Sequence, residues 1–361
     1  MDSINLLTDF NNIYQGKKVL ITGHTGFKGS WISIWLTKLG ANVVGFSLEK
    51  WNNDYIYKNS SMRNHLHANE KGDIENYDLL KEIFDKHNPD IVFHLAAQPL
   101  VRDSYENPLK TFKTNIIGTA NVLECIRTTP SVKAGVIITT DKVYKNQSKK
   151  EGYNEEDELG GFDPYSSSKA CCEIISKSYK DAFFKHQNKY IATVRAGNVI
   201  GGGDFAKDRI IPDCIKHLSN DKPIPIRNPS YIRPWQHVLE PTNAYLTIGQ
   251  KLLEENKEFS REWNIGPDKE SCQDVLTITN LLIKHYGKGE WVDISDPTEK
   301  KKETQFLKLN NNLLKTTGWK PLLNLDNTIK WTVSWYKEMN YNDPFELCSK
   351  QIEDYYKLKK D

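Results

Sequence analysis

The sequence predicts an α/β fold, a doubly wound parallel sheet with a smaller, interleaved C-terminal lobe. Three observations predict it. Short β-branched, apolar runs alternate with amphipathic segments from Lys17 to Gly197. Such alternation builds a parallel sheet covered by helices on both faces. A glycine-rich turn joins the first apolar run to the first amphipathic segment. After residue 198 the rhythm loosens, and proline and glycine thicken through GNVIGGGDFAKDRIIP and PIPIRNPSYIRPWQHV.

Each element follows from its residues. KKVLITG (17–23) is β-branched and ends in glycine, which predicts a buried strand. GSWISIWLTKLG carries apolar residues at helical spacing and stops at Gly40. ANVVGFSL is a second strand, YDLLKEIFDKHNP a helix ending before Pro89, and DIVFHLAA a strand. TNIIGTANVLECIRTT is a helix and AGVIITT (134–140) a strand. A further helix starts near Pro164 over YSSSKACCEIISKSYKDAFF, and KYIATVRAG is the next strand. Helical periods return at 238–255, at 272–287 and in the last stretch. The first domain is thus expected over 1–197, with part of 231–258 packed on it, and the smaller lobe over 198–230 and 259–361.

Composition narrows the function classes. The 361 residues are 38% hydrophobic and 27% charged, with a formal charge of +2, which fits a globular chain with a sizeable core. No basic block suggests nucleic acid or a membrane surface, and the lysines at 299–302 and near the C-terminus are interrupted by acids. Cys125, Cys171, Cys172, Cys214, Cys272 and Cys348 make no C-x-x-C pair, which favours free thiols in a reducing compartment and no metal site. The N-terminal residues lack a signal-peptide pattern and no apolar run reaches ~20 residues, so a cytoplasmic protein is expected.

ITGHTGFKGS sets Gly23, Gly26 and Gly29 between the first strand and first helix. Glycines there admit a tight turn and close approach of backbone N–H groups to a pyrophosphate, aided by the helix dipole. A dinucleotide is the expected ligand. Near the end of the second strand an acid would select NAD and an arginine NADP. GFSLEKW offers Ser47, then Glu49, and no arginine, which favours NAD, while Lys50 keeps NADP open. Asp73, in KGDIEN, stands where adenine would lie, or in a plain surface turn.

PYSSSKACCE holds Tyr165 and Lys169 four residues apart, on one helical face. An ammonium beside a phenol lowers its pKa from about 10, so the phenolate can take a proton from a sugar hydroxyl as hydride leaves the carbon.

TGHTGFKG, HLAAQPLVR, TTDKVY, DPYSSSK, VRAGNVIGGGD and IRPWQHV together resemble the extended short-chain dehydrogenase family, most closely its CDP-glucose 4,6-dehydratase branch. The resemblance runs from about residue 15 to 337. It implies a Rossmann-type sheet with a nucleotide-sugar-binding lobe, NAD as cofactor, and conversion of an NDP-hexose to its 4-keto-6-deoxy form for bacterial surface deoxysugars. The implied cofactor set is Gly23, Thr25, Gly26, Phe27, Lys28, Gly29, Ser47, Asp73, Ile74, Leu95, Ala96, Ala97, Gln98, Asn115, Tyr165 and Lys169. Thr140 is implied to orient the sugar 4-hydroxyl, and Asp141 to act as the acid for the C6 oxygen. Where the dTDP-glucose branch has a glutamate base for C5, this chain has Lys142. A lysine serves as base only when neutral, so either its pKa is depressed by burial and neighbouring cations, or it positions the sugar while another base acts.

Arg233 matches an arginine that grips the diphosphate, as its planar fork suits. Arg209, Asn198, Gln98 and Arg102 lie in segments that resemble the substrate-binding loops. His237 is either a ligand contact or a structural partner. The family implies a homodimer or homotetramer, through a helix bundle that includes the Tyr165 helix. Competing readings are a GDP-mannose or dTDP-glucose dehydratase, a UDP-sugar 4-epimerase, which needs no acid–base pair at 141–142, and a non-catalytic NAD-binding regulator.

Overall fold

The computed structural model describes residues 10–49, 54–147, 149–295 and 307–360. Lys50 and the lysines at 299–302 lie outside them. Seven strands form one sheet: β1 (Lys18–Thr22), β2 (Asn42–Ser47), β3 (Ala68–Lys71), β4 (Ile91–His94), β5 (Ala134–Ile138), β6 (Tyr190–Ala196) and β7 (Glu262–Ile265). Their spatial order is β7-β6-β5-β4-β1-β2-β3, and every neighbouring pair is parallel. β4, β5 and β6 are buried along their whole length, as a sheet covered on both faces requires. The strand order reverses between β1 and β4, so the crevice for a ligand opens beyond their carboxyl ends.

The helices divide between the two faces. On one lie α1 (Phe27–Lys38) and, later in the chain, α6 (Leu239–Leu253), which crosses β5 and β6. On the other lie α2 (Tyr77–His87), α3 (Gly118–Thr128) and α4 (Pro164–Tyr179). Outside the sheet and its two helical layers stand α5 (Ile210–Leu218), α7 (Val275–Tyr286), α8 (Leu325–Glu338) and three short strand pairs, in the region the sequence assigns to a smaller lobe. α9 (Pro344–Lys360) returns to α1.

α1 explains that return. Its residues Phe27, Trp31, Ile32, Ile34, Trp35 and Leu36 are all buried and point in every direction. A helix apolar on all sides needs cover on all sides. The sheet covers one side and α9 the other: Trp35 packs edge-on against Tyr355 and Tyr356, with ring centroids 5.8 and 5.6 Å away, and its Nε1 donates to Tyr356 Oη at 2.8 Å.

Several predicted boundaries shift. Residues 262–265, assigned from sequence to the lobe, supply the seventh strand by pairing with β6. Residues 272–274 pair antiparallel with Ile232–Pro234, so the helix there starts at Val275. The strand over AGVIITT ends at Ile138, because Thr140 turns to cap a single helical turn over Asp141–Val143. The helices preceding α3 and following α4 carry π-turns at 113–117 and 180–184.

Candidate active site

The turn after β1 is shaped by its glycines. Gly23 has φ +77°, and a Cβ there would stand 2.7 Å from the backbone nitrogen of Ala96. At Gly29 a Cβ would lie 2.0 Å from the carbonyl oxygen of Gly23, so only glycine lets α1 close on the turn. Gly26 caps α1 with extended backbone and no side-chain acceptor. The first-turn N–H groups, those of Phe27 and Lys28 among them, therefore lack a capping side chain and face outward with the positive end of the helix dipole. A cradle of this form fits a dinucleotide pyrophosphate.

Its neighbours are less free than expected. Thr25 N donates to Ser47 Oγ at 3.4 Å, and Ser47 Oγ lies 3.0 Å from His24 Nδ1. His24 Nε2 meets Asn69 Oδ1 at 2.9 Å, and burial pushes this imidazole down to about 4. Asp73 accepts from Glu75 N at 3.0 Å and pairs with Lys110 at 3.1 Å, while Ile74 is buried against Gly118. Leu95, Ala96 and Ala97 line the open end of β4, half-buried. Gln98 turns away from them: its amide donates to Leu100 O at 3.1 Å and Thr111 Oγ1 at 2.9 Å, and its oxygen accepts from Leu100 N at 2.5 Å. Asn115 is likewise spent, accepting from Gln98 N at 2.8 Å and donating to Ser168 Oγ at 2.8 Å. Asn115 thus ties the β4 loop to α4, while the Gln98 side chain is engaged within that loop and by Thr111.

Beyond β5, Thr140 Oγ1 donates to Asp141 Oδ1 at 2.9 Å and accepts from Lys142 N at 3.4 Å. Asp141 is 2% exposed, and its Oδ2 has no hydrogen-bond partner. The space it occupies is the one a side chain at residue 197 would fill: a Cβ on Gly197 would lie 1.8 Å from that oxygen. Burial drives this carboxyl above the ordinary carboxylate range, against the opposing pull of Lys142, Thr140 and Arg233. The shift is in the direction that favours the protonated form a general acid needs.

Asp163 caps α4 by accepting from Ser166 N at 2.9 Å, which fixes the first turn carrying Tyr165. Tyr165 shares a hydrogen bond with Thr140, and Arg209 and Asp141 are its charged neighbours. Here the expectation from spacing fails. Burial pushes the phenol up to about 12, and Lys169 aims its ammonium at the carbonyl of Ile138, 3.0 Å away, where burial lowers the lysine pKa. Desolvation of the phenolate outweighs the opposing pull of the Thr140 hydrogen bond and the Arg209 cation.

A buried network that spacing did not suggest lies under these residues. Glu173, one further helical step beyond Lys169, accepts from Thr139 Oγ1 at 2.5 Å, Thr193 Oγ1 at 2.6 Å and Arg195 at 2.8 Å. Arg195 also donates to Tyr144 Oη at 2.7 Å, and Tyr144 donates to Asn264 Oδ1 at 2.6 Å. The i, i+4, i+8 stripe Tyr165–Lys169–Glu173 was the signal available for it. Nothing in the sequence marked Gly197.

In the smaller lobe, Arg233 is buried, lies 5.4 Å from the Tyr231 ring and acts electrostatically on Asp141. Arg209 pairs with Asp204 at 2.9 Å and acts on Tyr165. Asn198 adopts φ +47° at the end of β6. Arg102 sits 3.6 Å from Asp208, half exposed at the rim. His237 does not join them. It is fully buried between Trp31 and Trp331, each 6.0 Å away and edge-on, and burial pushes it down to about 3. Two aromatic walls make it a packing residue.

A family model described as GDP-mannose 4,6 dehydratase matches residues 20–341. A CDP-glucose 4,6-dehydratase of Salmonella typhimurium is 41% identical over 356 residues, covering 95% of this chain and 97% of that one. A dTDP-D-glucose 4,6-dehydratase of Dictyostelium discoideum is 32% identical, covering 74% and 62%. Among solved structures, a dTDP-glucose 4,6-dehydratase from Bacillus anthracis in complex with NAD aligns with a TM-score of 0.76 at 22% identity, over 91% of this chain and 100% of that one. A UDP-glucose 4-epimerase from Thermotoga maritima aligns at 0.77 and 23%, over 90% and 99%.

Proposed function

Because this chain belongs to the GDP-mannose 4,6-dehydratase family of extended short-chain dehydrogenases, we propose that it is a hydro-lyase converting CDP-glucose to CDP-4-keto-6-deoxyglucose and water, with NAD as its resident cofactor. The carrying observation is Asp141, a buried carboxyl with a raised pKa and an unpartnered oxygen, hydrogen-bonded through Thr140 to the neighbourhood of Tyr165. An epimerase needs the phenol but has no task for a poised acid. The choice of CDP-glucose rests on the Salmonella relative.

The Gly23–Gly29 cradle holds the pyrophosphate. Bound there, NAD would supply reversible hydride chemistry for the oxidation at C4 and the reduction at C6 of the sugar. Tyr165, aligned by Thr140, takes the 4-hydroxyl proton, its phenol ionised by the positive charge that the oxidised cofactor would bring beside it, and afterwards returns that proton through solvent to Asp141. The C4 ketone acidifies the C5 hydrogen, which Lys142 removes and gives back to C5 as C6 is reduced. Asp141 protonates the departing C6 hydroxyl, so water and not hydroxide leaves. Arg233 and Arg209 meet the nucleotide diphosphate, with Asn198 and Arg102 at its border.

No helix among the described residues is long and apolar enough to cross a membrane, and we place the enzyme in the cytoplasm. Leu109, Ile117 and Ile174 stand exposed (75%, 50% and 56%) on adjoining helical segments at α4. Such a patch supports a homodimer formed through that face.

The test is CDP-glucose deuterated at C4. The expected product has lost one water and carries deuterium at C6. Retained mass with inverted C4 would replace this reading with an epimerase. Turnover of dTDP-glucose or GDP-mannose in preference to CDP-glucose would reassign the substrate.

A further inference from the structure

Lys28 is the second residue of α1, directly after the cradle. Its ammonium lies 5.9 Å from the Tyr245 ring of α6. The charged groups facing it are Lys169 from α4, Arg209 at the entry to α5, and Asp141 beyond β5. A dinucleotide whose pyrophosphate sits on the cradle, and whose nicotinamide reaches the sugar carbon at Tyr165, must pass this ammonium.

We propose that Lys28 senses the oxidation state of the dinucleotide, its ammonium facing the place where the nicotinamide ring bears or lacks a positive charge. The inference rests on the reading that the cradle binds NAD. Two like charges in a cleft shielded from water repel strongly. Binding of the oxidised form therefore expels the proton from Lys28, whereas the reduced form leaves it in place. Burial, with Lys169 and Arg209 adding to it and Asp141 opposing, already holds Lys28 down at about 7, so the proton is lost readily near neutrality. Lys169 and Arg209 supply the repulsion, and the Tyr245 ring joins Asp141 in favouring the cation.

Dissociation constants of the full chain for NAD and for NADH, measured by calorimetry from pH 6 to pH 9, test this. One-proton linkage raises the ratio of the NAD constant to the NADH constant about tenfold between pH 8 and pH 6. Lys28→Met should hold the ratio flat at its alkaline level, and Lys28→Arg flat at its acidic level. A flat ratio in the parent protein, or a slope surviving in Lys28→Met, overturns the inference while leaving the cofactor reading intact. Binding of neither nucleotide overturns both.

Discussion

Gly197→Ala converts the contact at Asp141 into a measurable defect. The added methyl would lie 1.8 Å from Oδ2 and 2.1 Å from Cγ, whereas ordinary contact begins at 3.4 Å. The carboxyl must therefore retreat by about 1.6 Å, the difference between those values. It has little room to do so, being 2% exposed and held by Thr140 Oγ1 at 2.9 Å. Because a misplacement of about 1 Å at a reacting group can cost ~100-fold, kcat should fall by roughly that factor, or about 2.7 kcal/mol of barrier. Overpacking costs a further ~1–3 kcal/mol of stability, which a chain of this size survives folded. Steady-state turnover of CDP-glucose, with a thermal melt on the same sample, reads both quantities. A folded variant that retains kcat within about threefold of the parent would refute the argument that this cavity positions the acid.

Three further outcomes are expected. Lys142→Met should spare C4 oxidation yet abolish exchange of the C5 hydrogen with solvent deuterium, seen by mass spectrometry; normal exchange removes Lys142 as the base. Stability should decline as pH drops from 6.5 toward 4. His24, His94 and His237 stay neutral when folded, at about 4, 3 and 3, but take up protons once unfolded. Each contributes up to about 1.4 kcal/mol per pH unit in that window. Glu240, raised to about 7, titrates in the opposite sense, so Glu240→Gln should steepen the urea-measured loss; an unchanged slope counts against these assignments. Ile174→Arg, on the exposed face of α4, should give a folded monomer by size-exclusion chromatography with light scattering, and an unaltered dimer would move the interface elsewhere.

What the sequence made legible was whatever short-range pattern encodes. β1, β2 and β4 to β6 are continuous apolar runs because both their faces are covered, and a run needs no knowledge of partners to be seen. β7 was missed because Glu262–Ile265 is short and gains strand character only from β6, some 70 residues earlier. Thr140, Asp141, Tyr165 and Lys169 do come together, since each sits at a strand end or on one helical face. The inward bonding of Gln98 and the choice between the two roles left open for His237 were not legible, because polarity indicates neither direction nor burial. The partners that turn them inward, Thr111 for one and Trp31 with Trp331 for the other, are unrelated to any motif. The phenol of Tyr165 shows the same gap in electrostatics: residue spacing reveals a neighbouring cation, but the depth of burial that overrules it depends on the finished fold.

The dovetail of α1 against α9 has a consequence for how the chain comes into being. During synthesis the phosphate turn and its helix emerge early, yet the tyrosines that shield Trp35 lie 321 residues downstream. Until they arrive, the Trp35 indole of α1 lacks that cover, a sticky surface on a half-made protein. Sealing it requires contacts of very large sequence separation, which form slowly. The ribosome-bound intermediate thus exposes a surface that only the docking of α9 covers.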